Sequence, residues 1–179
     1  MRNIWARIEN WLSTNAPEMI DELLPGASDQ EIYQAEKSLG IQFPKDVKES
    51  YRIHNGQNES IDNLVLGHQL LSLKEIIRVW KVWKDLSDRN QIYWNSKWIP
   101  LISDGTGNEY SLTLSSVGIR NSGQIIFIDH EVDLEEAEAV NVIADSFQAL
   151  MTKFADDLDS GSYTFLEDCG IIPTDENLQ

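Results

Sequence analysis

The sequence predicts an α+β domain with a central, mostly antiparallel β-sheet of four to six strands flanked by helices. Three observations support this class: amphipathic helical stripes towards both ends, short strand-like runs in the middle, and turn residues between those runs. The chain has 179 residues, of which 41% are hydrophobic and six are tryptophan. A domain of this size buries roughly 70% of its unfolded surface. We therefore expect one domain over residues 1–172 and a mobile polar tail over residues 173–179.

Three helices are predicted in the first third of the chain. Apolar residues fall on one helical face over residues 3–14, which predicts an amphipathic opening helix. Ser28 and the glutamate three residues later form a capping box for the second helix, and Gly40 ends that helix. Pro44 opens the third helix, which stops near the His-Asn-Gly-Gln segment at residues 54–57.

Sequence patterns in the middle of the chain predict most strands of the sheet. Residues 61–66 are expected to form a first strand, and apolar residues at helical spacing predict a helix over residues 73–87. A short apolar run at residues 99–102 is followed at residues 110–114 by alternating apolar and polar residues, which is typical of a half-buried strand. The continuous apolar run at residues 125–128 is suited to a central strand.

The last third predicts one strand and one helix. Residues 140–143 are expected to form a short strand, and Ser146 caps a helix that ends at Gly161. Phe154 lies in the middle of the apolar stripe of that helix, so we expect it to be buried against the sheet.

Seven short motifs in a fixed order carry a resemblance to a known family. They are L-P-G-A-S (24–28), E-x-x-L-G-I-x-F-P (36–44), H-N-G-Q (54–57), L-L-S-L-x-E-I (70–76), Y-W-N-S-K-W-I-P-L (93–101), D-G-x-G-N (104–108) and G-Q-I-I-F-I-D-H-E (123–131). Each motif alone is a turn or strand signal. Together, from about residue 5 to residue 163, they resemble the SUKH superfamily, and most of all its Smi/Knr-like group.

The resemblance implies a function as well as a fold. It implies a non-catalytic α+β domain that binds other proteins. In bacteria such domains are immunity proteins that neutralise a cognate polymorphic toxin, of the nuclease or deaminase class. In fungi they are regulators of cell-wall synthesis. We take a toxin-immunity protein as the first interpretation and a regulatory scaffold of the cell-wall or signalling type as the alternative.

The charge is strongly negative and unevenly distributed. The net charge is −16, and residues 121–179 hold 14 of the 30 acidic residues but only one basic residue, Lys153. Such a field repels nucleic-acid phosphates and anionic lipids, so we expect neither as a ligand. It attracts a partner with a basic surface, such as a nuclease toxin. The alternative is that these acids only keep the protein soluble.

Other features of the composition favour a cytoplasmic protein. The single cysteine, Cys169, cannot form an internal disulfide, which favours a reducing compartment. The opening segment is interrupted by Glu9 and does not match the apolar core of a signal peptide. No apolar run approaches the roughly 18 residues that a membrane span needs. We expect a monomer or weak dimer.

The patterns that would indicate catalysis are weak. The Asp104-Gly-Thr-Gly-Asn-Glu segment alternates oxygen ligands, but Glu109 stands where a calcium loop requires glycine, so a hairpin turn explains the segment better. The three histidines are scattered without zinc-ligand spacing, and Cys169 has no neighbouring base. The sequence therefore predicts no enzyme, no metal and no cofactor.

The candidate binding surface combines acidic residues with one aromatic residue. Six carboxylates lie within residues 129–138 without a basic neighbour, so either water solvates them or a cationic partner uses them. Trp94, between Tyr93 and Asn95, is the tryptophan expected to be exposed, and the amides of residues 54–57 either end a helix or line a groove. The predicted partner-binding residues are Asp104, Glu109, Asp129, Glu131, Asp133, Glu135, Glu136, Glu138 and Trp94.

Overall fold

The computed structural model describes residues 1–58, 63–89, 93–115, 121–131 and 141–174. Its helices are α1 (Arg2–Asn15), α2 (Glu18–Glu22), α3 (Asp29–Leu39), α4 (Lys45–Tyr51), α5 (Leu73–Asp88) and α6 (Phe147–Asp159). Its strands are β1 (Leu23–Pro25), β2 (His54–Gln57), β3 (Gln69–Leu70), β4 (Trp98–Ser103), β5 (Glu109–Thr113), β6 (Ile125–Ile128), β7 (Asn141–Ala144), β8 (Tyr163–Leu166) and β9 (Gly170–Pro173).

The helix ends follow the predicted local chemistry. Ser28 Oγ accepts a hydrogen bond from the Glu31 amide at 3.2 Å, and Glu31 Oε2 accepts one from the Ser28 amide at 2.7 Å. This pair is the predicted capping box, and Gly40 ends α3 in the left-handed conformation at φ +67°. Ser146 Oγ likewise accepts from the Ala149 amide at the start of α6. These predictions of helix ends are confirmed.

Five of the described strands form one antiparallel sheet in the order β3-β4-β5-β6-β7. Two smaller antiparallel pairs, β1–β2 and β8–β9, lie outside it. The predicted α+β class with a mostly antiparallel sheet is confirmed. The small pairs were not predicted; residues 54–57, for example, were interpreted as the end of a helix and not as strand β2.

The central strand β5 is buried on both faces, which corrects the expectation of a half-buried strand. Leu112 packs into the main core, as the alternation predicted. Ser111 and Thr113 are also fully buried, because they lie opposite Ile126 and Trp98. Those two apolar residues belong to a second, smaller core cluster on the other face of the sheet. A polar residue in β5 therefore does not mark a solvent-facing position.

Two other predictions differ from the structure. Residues 61 and 62 lie outside the described residues, and the described part of the predicted 61–66 strand forms only isolated bridges, from Asn63 and Val65. The strand prediction is wrong there, and β3 forms the sheet edge. At the C-terminal end, Pro173 lies in β9 and the Thr174 amide donates to the Ser162 carbonyl at 2.9 Å. Residues 173 and 174 therefore do not belong to the predicted tail, and residues 175–179 lie outside the described residues.

The main core lies between the helices and the sheet. Phe154 of α6 is fully buried, as predicted, and its ring lies edge-on to Tyr163 of β8 at a centroid distance of 5.3 Å. Asn63 attaches the β8–β9 hairpin to the rest of the domain, because its carbonyl accepts from the Ile171 amide at 2.6 Å. None of the helices among the described residues combines the length and apolar character that crossing a bilayer requires.

Candidate functional site

The turn between β4 and β5 is organised by the carboxylate of Asp104. Its Oδ1 accepts hydrogen bonds from the amides of Thr106, Gly107 and Asn108 at 2.8, 3.2 and 3.1 Å. Its Oδ2 accepts from Thr106 Oγ1 at 2.8 Å and from Asn108 Nδ2 at 2.7 Å. The hairpin-turn interpretation of this segment is confirmed. Both oxygens of Asp104 are engaged by the turn itself.

The electrostatics of Asp104 agree with that structural role. Burial alone would raise the pKa of Asp104, but the hydrogen bonds from Thr106 and Asn108 outweigh it and hold the pKa below its ordinary value. The side chain is therefore ionised at neutral pH and acts as a fixed acceptor for turn amides.

A second acidic turn follows β6 and contacts the first one. Asp129 Oδ1 accepts from the Glu131 amide at 2.9 Å. The His130 amide donates to Asn108 Oδ1 at 3.3 Å, and His130 Nδ1 lies 3.1 Å from the same oxygen. The structure thus brings Asp104, Asp129 and Glu131 to one end of the sheet, with Glu131 exposed. The other predicted acids, Asp133, Glu135, Glu136 and Glu138, lie outside the described residues.

Glu109, the first residue of β5, is an interior carboxylate rather than a surface one. It is only 2% exposed. Its Oε1 accepts from Ser103 Oγ at 3.2 Å and from Trp83 Nε1 at 3.5 Å. Its Oε2 is buried and has no hydrogen-bond partner among the described residues. Burial raises the pKa of Glu109 to about 8, and these two hydrogen bonds offset the effect only in part.

Trp94 is buried, so the expectation of an exposed side chain is wrong. It is 6% exposed, and its ring stacks on Trp83 at a centroid distance of 5.0 Å. It also meets Trp98 edge-on at 5.6 Å. The stacking partner Trp83 comes from α5, which the local sequence around residue 94 does not reveal. The exposed aromatic of this segment is Tyr93, which is 45% exposed.

A pocket of about 300 Å³ lies between α5 and the β4–β5 turn. Its walls include Val79, Val82 and Trp83 from α5, and Glu109 lies among its lining residues. At its α5 side, Arg78 Nη2 forms an ion pair with Glu75 Oε2 at 2.7 Å. Sequence reasoning missed this pocket because it interpreted the 73–87 stripe only as core.

The His-Asn-Gly-Gln segment at residues 54–57 serves the fold. Gln57 Oε1 accepts from the Leu70 amide at 2.9 Å, and Asn55 Oδ1 accepts from the Leu73 amide at 3.0 Å. The His54 ring lies between the Leu24 carbonyl and the carboxylate of Glu9. The segment is therefore strand β2 rather than the predicted helix end and loop, and its amide groups hold it against β3 and α5. Among the described residues, no group of three His, Cys, Asp or Glu side chains is arranged to hold a metal ion.

These observations define a class: an α+β domain in which two acidic turns meet at one end of an antiparallel sheet beside a pocket with a buried carboxylate. The family model described as the SMI1 / KNR4 family (SUKH-1) matches residues 26–153. The chain therefore belongs to the SMI1/KNR4 family, in agreement with the resemblance seen in its motifs.

The relatives that the chain matches are named as fungal regulators. It is 24% identical to the cell wall assembly regulator SMI1 of Saccharomyces cerevisiae, covering 92% of this chain and 41% of that protein. It is 24% identical to the glucan synthesis regulatory protein of Neurospora crassa, covering 92% and 39%. It is 24% identical to the cell wall biosynthesis/cell cycle regulator smi1 of Schizosaccharomyces pombe, covering 92% and 37%. The chain thus spans about two fifths of the length of these relatives. Their names support regulation rather than toxin immunity.

Proposed function

We propose that this chain is a non-catalytic, cytoplasmic protein-binding module of the regulatory type. The observation that carries the proposal is the match over 92% of the chain to regulators of cell-wall assembly and glucan synthesis. A match over so much of the chain supports a role that the module itself performs within such regulators. The names of these relatives favour regulation over the neutralisation of a toxin.

The chemistry of the acidic residues supports binding rather than catalysis. Both carboxylate oxygens of Asp104 accept hydrogen bonds from residues of its own turn. Glu109 is buried beneath α5 and the hairpin. A general acid or base must reach a proton on its substrate, and Asp104 lacks a free oxygen for that purpose. Asp104 thus acts as part of the scaffold and as a source of negative potential, and Glu109 as an interior group.

The acidic end of the sheet is the proposed contact surface. Glu131 is exposed there, in contact through its turn with the β4–β5 hairpin. Four further acids at positions 133, 135, 136 and 138 follow in the sequence. A dense negative potential speeds the encounter with a basic surface and is screened within about 8–10 Å at 0.1–0.15 M salt. The proposed partner is therefore a protein with a basic surface.

A chimera in S. cerevisiae tests the proposal. The region of SMI1 that this chain matches is replaced by the chain, and the chimera is expressed in cells that lack SMI1. We expect it to restore growth under cell-wall stress, because the module supplies the interaction of the region it replaces. The matched control is the same chimera with Phe154→Ala, which should fold poorly. If the chimera accumulates to the level of SMI1 and the cells stay as sensitive as the deletion strain, the regulatory proposal is wrong.

A further inference from the structure

The pocket between α5 and the β4–β5 turn has the features of a site for a cation with an apolar stem. Glu109 lines this pocket, and its Oε2 is buried without a hydrogen-bond partner among the described residues. A polar oxygen that is removed from water without a partner costs free energy. A ligand that donates a hydrogen bond to this oxygen recovers that cost on binding.

The walls of the pocket define the rest of the ligand. Val79, Val82 and Leu86 offer an apolar surface, and Val82 is 50% exposed. Apolar walls of this kind suit the methylene stem of a long cationic side chain, while its charged end reaches a polar group. The indole of Trp83 also lines the pocket, and guanidinium groups stack favourably on indole rings.

The charges around Glu109 favour a cation over an anion. From α5 it is faced by Arg78, which is paired with Glu75 at 2.7 Å. From the hairpin turn it is faced by Asp104, whose charge repels that of Glu109. The Glu75–Arg78 pair is neutral as a whole, so the pocket is negative through Asp104 and, once Glu109 has lost its proton, through Glu109 as well. A guanidinium group fits this environment best because its several N–H donors can engage a carboxylate and an adjacent hydroxyl at once.

We propose that this pocket binds the side chain of an arginine that belongs to a partner protein, with its guanidinium group on Glu109 and its stem against α5. This inference rests on the proposed function, since it assigns an anchor residue to the partner. It adds a specific contact to the long-range attraction of the acidic turns. An arginine held in a desolvated pocket is typical of the few residues that dominate binding at an interface.

The direct test is a titration of the full chain with N-acetyl-arginine methylamide, observed by ¹H–¹⁵N NMR at the indole N–H of Trp83. This N–H donates to Glu109 Oε1, so it reports occupancy at the carboxylate. We expect a saturable shift with a dissociation constant on the order of 1 mM, as for a ligand of this size. The citrulline counterpart has the same shape without charge and should give no saturable shift. Equal shifts with citrulline, or binding of only the lysine counterpart, would refute the arginine assignment.

The pH dependence and a charge-matched variant sharpen the test. Since the pKa of Glu109 is about 8 in the free protein, the carboxyl group must lose a proton before it pairs with a guanidinium group. The affinity should therefore rise about tenfold per pH unit from pH 6 and level off above pH 8. Glu109→Gln should abolish both the binding and its pH dependence. Glu18→Gln, which removes an exposed carboxylate from α2, away from the pocket and the acidic turns, should preserve both, and the opposite result would overturn the inference.

The chimera separates this inference from the proposed function. A Glu109→Gln chimera that restores growth as well as the unaltered chimera would refute the arginine pocket and leave the regulatory role intact. If the unaltered chimera does not restore growth, the regulatory role is wrong. The titration with N-acetyl-arginine methylamide then still decides whether the pocket binds a guanidinium group.

Discussion

Replacing Glu109 by Gln should stabilise the protein, and more so at high pH. The ordinary pKa of a glutamate is 4.5, and burial raises that of Glu109 to about 8. Between these values the folded protein holds a proton that the unfolded chain has released. The free energy of unfolding therefore falls with rising pH over this range and levels off above pH 8. Glutamine has nearly the same shape, keeps an acceptor for Ser103 and Trp83, and never ionises.

The magnitude of this change in the free energy of unfolding follows from the shift in the pKa of Glu109. Each pKa unit corresponds to 1.36 kcal/mol, so the folded protein loses about 3 kcal/mol between pH 4 and pH 7, and nearly 5 kcal/mol by pH 9. Urea unfolding of the natural chain and of Glu109→Gln, measured at pH 4, 7 and 9, gives the difference directly. At each pH, the free energy of unfolding of the natural chain is subtracted from that of the variant. This difference removes the contribution of every other titrating group. We expect little difference at pH 4 and a gain of about 3 kcal/mol for the variant at pH 7.

A matched control is Glu131→Gln, which removes a carboxylate from an exposed turn and should leave the pH profile nearly unchanged. Two results would refute the reasoning. One is a Glu109→Gln variant that is less stable than the natural chain at pH 9. The other is a difference between the two proteins that stays constant from pH 4 to pH 9, since that would mean Glu109 ionises as easily in the folded chain as in the unfolded one.

Three further substitutions test the packing by urea unfolding. Phe154→Ala should cost about 3–5 kcal/mol, because the ring is fully buried in the main core; a loss below about 1 kcal/mol would mean that α6 is peripheral. Gly170→Ala should cost at least about 2 kcal/mol, since φ is +78° and the added Cβ would lie 2.3 Å from the Asn63 carbonyl oxygen; a neutral effect would contradict this close approach. Asp104→Ala should cost about 1–3 kcal/mol by leaving the turn amides without an acceptor, and an unchanged unfolding curve would contradict that role.

Much of the fold could be predicted because its signals are local. The capping box at Ser28 and the apolar stripe of α6 depend on residues three or four positions apart, so the sequence contains both partners of each contact. The run at residues 125–128 likewise predicts a buried strand from its own composition. Local signals of this kind therefore predict most of the helices and the centre of the sheet.

The candidate site was harder to predict because its contacts are distant in sequence. Trp94 stacks on Trp83, which belongs to helix α5 and not to the loop that carries Trp94. Glu109 begins a strand whose alternation suggests an outward-facing position, yet α5 and the tryptophan cluster cover that face. Burial of a polar residue depends on what tertiary packing places over it, and periodicity along a strand does not report this.

The most direct test of the proposed function uses the SMI1 chimera with two sets of charge-neutralising substitutions. The first set removes three acids from the predicted contact surface: Glu131→Gln, Glu135→Gln and Glu138→Gln. The second removes three acids elsewhere in the chain: Glu18→Gln, Asp21→Asn and Glu167→Gln. Growth under cell-wall stress is then compared at equal protein levels. We predict that the first set loses most of the restored growth and the second retains it, because only the first removes charge that a basic partner uses. Equal growth with both sets would contradict the account and leave solubility as the role of the acidic segment.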